Sequence, residues 1–189
     1  MVSSMRALIY GFSVALLACV FVGSALAASM GAVVGSFAMA CMNNVDAPSG
    51  LSELNKGGAK LRPEHAVPFL KPHRGSAYLH RFDNGGEMIV AIKDAGGCKI
   101  YSKEALRQDV DGLIFEIFRR EGTPHRVLAN QKEHLLTRTT LAVTYKGKRL
   151  FLVVFGPQGP KQAGIFVEVS PAGQPPENIS PRSAIDWPA

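Results

Sequence analysis

The sequence predicts an α+β domain: an antiparallel sheet of about six strands, one long amphipathic helix packed on a face, and a short helix at the N-terminal end. Three observations carry this. Apolar runs of strand length recur, separated by short glycine-bearing turns. One long segment repeats its apolar residues at three and four positions. The strands follow one another through hairpins instead of alternating with helices.

The elements are justified in chain order. Residues 1–27 read as a secretory leader: a single charge at Arg6, an apolar run from Ala7 to Gly23, and the small-x-small ending Ser24-Ala25-Leu26-Ala27. Two alternatives exist. Leu16-Leu17-Ala18-Cys19 resembles a lipobox, which would lipidate Cys19, and an apolar run of this length can also serve as an uncleaved anchor. Residues 28–170 form the expected single domain, and residues 171–189 a loose proline-rich tail. Val33, Val34, Phe37, Ala40 and Cys41 fall at helical spacing, predicting a helix from Ser29 to Asn43, with a short helical piece from Leu51 to Asn55. Lys56 to Gly75, rich in proline and glycine, reads as irregular connection.

Strands are expected at Ala77–Phe82, Glu87–Lys93 and Cys98–Tyr101, joined by Asp83-Asn84-Gly85-Gly86 and Asp94-Ala95-Gly96-Gly97. The long helix follows over Lys103–Glu121, with Ser102 as its N-cap, Arg119 and Arg120 in its last turn and Gly122 as its C-terminal stop. Leu113 and Ile117 sit at the centre of its apolar stripe. Thr139–Tyr145, Arg149–Phe155 and Gly164–Ser170 complete the sheet, and the run Leu150–Phe155, apolar on both faces, belongs in its interior.

The chain has a formal net charge of +6, and the excess is uneven. Between Lys56 and Arg81 six basic residues face Glu64 alone; between Arg119 and Arg149 eight face Glu121 and Glu133. A surface of this sign favours anionic partners, and Lys71, Arg74, Tyr78, His80 and Arg81 are the candidate partner-binding residues. Export would remove or lipidate Cys19 and leave Cys41 and Cys98, which are expected to pair; the alternative is two buried free thiols. The bridge would close a loop of roughly 57 residues, for which the chain-entropy model gives about 4 kcal/mol.

Catalytic and cofactor motifs are missing from the sequence. His65, His73 and His80 are too widely spaced for a metal site, which normally fixes two ligands within a few residues, and read as scattered surface histidines. Gly75-Ser76 lacks the second glycine of a nucleophile elbow. A disulfide-bonded Cys98 cannot act as a nucleophile with His125 or His134 as base. The glycine runs lack the Gly-Lys-Ser/Thr of a phosphate-binding loop. Neither an enzyme, a metal, a cofactor nor a nucleic-acid ligand is expected.

Phe37-x-x-x-Cys41 on a helix, Gly97-Cys98 at the start of a strand, a following amphipathic helix and closing apolar hairpins together resemble a group of small, uncharacterised exported proteins and lipoproteins of Gram-negative bacteria. The resemblance spans roughly Phe37 to Ser170 and implies a periplasmic location and a Cys41–Cys98 bridge; it brings no catalytic residues. The expected function is that of a non-enzymatic envelope protein binding a protein or anionic envelope component through its basic face. The alternatives are a periplasmic enzyme with a site built from loops, and a structural accessory subunit of a secretion or conjugation machine.

Overall fold

The computed structural model describes residues 29–174 except His134, Gln158 and Pro160. The leader, Cys19 and tail residues 175–189 lie outside the described residues.

Among the described residues eight strands form one antiparallel sheet: β1 (Ala59–Lys60), β2 (Gly75–Arg81), β3 (Glu87–Lys93), β4 (Cys98–Leu106), β5 (His125–Glu133), β6 (Leu136–Tyr145), β7 (Lys148–Pro157) and β8 (Ala163–Pro171). Their order is β1-β2-β3-β4-β8-β7-β6-β5. The sheet is thus two four-stranded meanders joined edge to edge where β4 pairs with β8. The helical segments are α1 (Met30–Asn43), α2 (Pro48–Leu51) with a 3₁₀ turn after it (Ser52–Asn55), α3 (Pro63–Leu70) and α4 (Arg107–Glu121).

The fold class is as expected, with more strands than the about six expected. The difference is β1 and β5. Two helices, not one, cover the first face, where α1 and α4 enclose Met88, Val90, Ile100, Leu152, Val154 and Val167. α1 approaches α4 closely because two glycines lie between them. A Cβ on Gly31 would stand 2.3 Å from Asp109 Cβ, and one on Gly35 would stand 2.7 Å from Leu113 Cδ2. Ser29 caps α1 by accepting from Ala32 N–H at 3.2 Å. Lys148 Nζ donates to the Asn43 carbonyl at the other end at 2.9 Å, a cation where the helix dipole is negative.

α4 begins four residues later than the sequence suggests. Ser102 does accept backbone N–H bonds, from Glu104 and Ala105, but it does so inside β4, at an irregularity in the pairing with β8. The buried stripe of α4 is Val110, Ile114 and Phe118, with Leu113 and Ile117 at its margin. β7, as expected, is an interior strand, between β8 and β6.

Cys41 and Cys98 form a disulfide with Cα atoms 6.3 Å apart, tying the end of α1 to the first residue of β4. Gly97 makes that junction possible: its φ is +80°, and a Cβ there would meet the Val169 carbonyl oxygen at 2.2 Å. Among the described residues no helix is long and apolar enough to cross a membrane.

Candidate functional site

The second face of the sheet carries its own core of Ile89, Ala91, Tyr101, Val153, Phe155 and Phe166, with Ala66, Phe69 and Leu70 of α3 packed on it. α3 lies in the stretch read as irregular connection. Pro63 stands at its first position, where a missing N–H costs nothing, and Pro68 removes one bond from a helix of about two turns. Side chains of β4 hold the helix end down. Tyr101 Oη donates to the Phe69 carbonyl at 3.2 Å and Lys99 Nζ to the Lys71 carbonyl at 2.9 Å. The ammonium thus sits at the negative end of α3.

This docking leaves a cleft of about 350 Å³ between α3, the residue pair at β1 and the start of β2. Leu61, Ala66, Val67 and Leu70 give it an apolar wall, and Val67 is 43% exposed. Lys71 and Arg74 supply the charge, His73 and the β1 residue Lys60, which pairs with Tyr78, also line it, and among the described residues no carboxylate does. Lys60, Lys71 and Arg74 are exposed; His73 is half-buried. Backbone bonds fix the walls: Leu61 N–H to the Ala77 carbonyl at 2.8 Å, and Asp94 N–H to the Arg74 carbonyl at 2.9 Å. The arrangement can hold an anionic group among cations while burying an attached apolar group.

The five residues singled out from the sequence do not form one patch. Lys71 and Arg74 share the cleft. Tyr78 and His80 pair in register with Val90 and Met88, which belong to the core under α1 and α4, so they face the other side of the sheet. Arg81 stands at the far end of β2 and donates to Glu87 Oε1 at 2.8 Å. His80 is not a surface histidine. It is 4% exposed, with the Phe37 ring 5.1 Å away edge-on and the Phe82 ring 6.5 Å away in a stack. Burial holds its pKa below the usual histidine value, and a backbone hydrogen bond with Leu54 opposes this more weakly. Its Nε2 finds no hydrogen-bond partner among the described residues. Lys60, His73 and the apolar wall were not among the residues singled out; a helical reading of Pro63–Leu70 would have grouped Ala66, Phe69 and Leu70.

Two further polar clusters have structural roles. On the second face Lys93 Nζ lies 3.0 Å from Glu168 Oε1 and donates to Ser170 Oγ at 2.7 Å, while Lys99 is the direct cross-strand neighbour of Glu168. All three charged side chains are 1% exposed, so no ligand reaches them. At the start of α4, a polar cleft of about 270 Å³ surrounds Arg107. Its Nε donates to Asp111 at 3.1 Å, Nη2 to Thr139 Oγ1 at 2.6 Å and Nη1 to the Thr137 carbonyl. Those contacts tie α4 to β6. Among the described residues no cluster of three His, Cys, Asp or Glu side chains could hold a metal.

No protein-family model matches this chain, and no curated protein matches it.

Proposed function

We propose that the protein is a non-enzymatic binding protein of the bacterial cell envelope, exported to the periplasm, which takes an anionic envelope component in the cleft between α3 and β2. The observation that carries this reading is the lining of that cleft: Lys71, Arg74 and His73 beside an apolar wall, with no carboxylate among the described residues. The leader-like first 27 residues and the Cys41–Cys98 disulfide support the compartment, because such bridges persist in oxidising surroundings. The ligand chemistry is a phosphate or carboxylate attached to an apolar chain.

Vesicle co-sedimentation tests it. The protein should bind vesicles containing phosphatidylglycerol and not pure phosphatidylcholine, and high salt should weaken binding, since ions screen charge over about 8–10 Å at physiological strength. Soluble dodecyl phosphate should compete, which separates cleft occupancy from adsorption to a charged surface. The double reversal Lys71→Glu/Arg74→Glu should abolish both effects while the fold survives, because exposed substitutions of this kind change stability by about half a kcal/mol or less. Equal binding by wild type and double reversal would overturn the reading.

A further inference from the structure

A separate surface lies at the opposite edge of the sheet. β5 is nine residues long and pairs only with β6; among the described residues no strand meets its outer side. Alternate backbone N–H and C=O groups along that side therefore face solvent, the arrangement that accepts another strand. The other edge of the sheet ends in β1, a pair of residues. The β5 edge is blunted by a register shift between Val127 and Ala129 and by Lys132, and among the described residues no strand covers it.

Apolar side chains accompany the open backbone. Val127 is 53% exposed and Leu128 42%. His125 and Val127 pair in register with Val143 and Leu141, placing them on the face that α4 covers. There Phe115, 37% exposed, brings its ring within 5.6 Å of the His125 ring. Up to Lys132 the strand carries His125, Arg126 and Lys132 and no carboxylate, Glu133 closing it.

We propose that the outer edge of β5 accepts an extended, acidic segment of another protein as an added strand, with an apolar side chain of that segment seated beside Phe115 and Val127. Charge decides the occupant. Across the register shift Arg126 lies opposite Ala142 and Lys132 opposite Thr137, so β5 presents a cation on each face of the sheet, and a second copy of formal net charge +6 would bring like charge to both. An acidic strand instead places carboxylates opposite those cations. The inference is independent of the cleft reading.

The test uses the full oxidised chain and a fluorescein-labelled peptide of about nine residues with a valine-rich centre and two adjacent glutamates at each end. That pattern puts carboxylates on both faces of the strand, and a counterpart carrying lysine in place of glutamate is the control. Anisotropy should show binding of the acidic peptide only. Arg126→Glu/Lys132→Glu and, separately, Val127→Asp should each weaken it about tenfold or more. Lys71→Glu/Arg74→Glu should leave it unchanged. Hydrogen exchange should show new protection at alternate amides of β5, a signature that charge adsorption elsewhere would not produce. Binding without that protection, or equal binding of the lysine peptide, overturns the proposal. So does a concentration-dependent dimer that Val127→Asp dissolves, which would assign the edge to a second copy.

Discussion

His80 shows how one side chain can set the acid response of the fold. Its imidazole is enclosed by Phe37, Phe82 and the backbone at Gly58, a setting that disfavours the charged form. The folded pKa is lowered, so the unfolded chain binds the extra proton first. The stability tied to His80 is therefore complete above about pH 6.5 and is lost as pH falls from there toward the lowered folded value, below which the loss is constant. Urea unfolding at about pH 7.5 and about pH 5.5 should show wild type losing more stability than His80→Leu across that window. An equal loss in both proteins would assign the acid response to other groups. Arg107 makes a different kind of contribution. Its contacts with Asp111, Thr139 and the Thr137 carbonyl join two elements, and Arg107→Leu should lower stability by roughly 2–4 kcal/mol in the same assay.

Among the elements, the α1–α4 pair depends on two glycines in unequal ways. At Gly35 the nearest atom to an added methyl is the mobile end of Leu113, which can move aside. At Gly31 it is Asp109 Cβ, fixed to the backbone of α4. Gly35→Ala should stay within about 1 kcal/mol of wild type, because alanine's higher helix propensity offsets the crowding. Gly31→Ala should force the helices apart and cost about 1–3 kcal/mol by denaturant titration. Equal effects would mean that the two helices do not pack on these residues. The same elements show where the sequence was readable. Val110, Ile114 and Phe118 belong to the repeat that marked α4, but Ser102 resembled a cap because its hydroxyl does bind backbone N–H groups, within a bulged strand. β5 escaped notice because the register shift at Leu128 breaks its alternation. α3 was hidden by Pro63 and Pro68. Lys71 and Arg74 were legible as unopposed charge, whereas their apolar wall comes from that hidden helix. The burial of His80 left no trace in β2, whose polar residues Ser76, Tyr78 and His80 alternate with Ala77 and Leu79 just as an exposed face would.

For the molecule as a whole, the disulfide joins the first helix to the sheet and closes 57 positions of chain. The double variant Cys41→Ala/Cys98→Ala should be less stable than the oxidised protein by about 2–5 kcal/mol in guanidinium titration, and a difference below about half a kcal/mol would contradict a stabilising role. Intact-mass analysis of protein recovered from the periplasm should give a mature start at Ala28 or Ser29; an acylated Cys19 would instead place the protein on a membrane leaflet. The order of the strands gives the bridge a further meaning. Both cysteines, and every strand of the β1–β4 meander, precede α4 in the chain, whereas the other half of the sheet is made wholly of later residues. A chain emerging from its amino end can therefore be oxidised while β5–β8 are still absent. The covalent clasp then holds a half-sheet whose β4 flank is open, ready to be zipped by β8, the last strand to arrive.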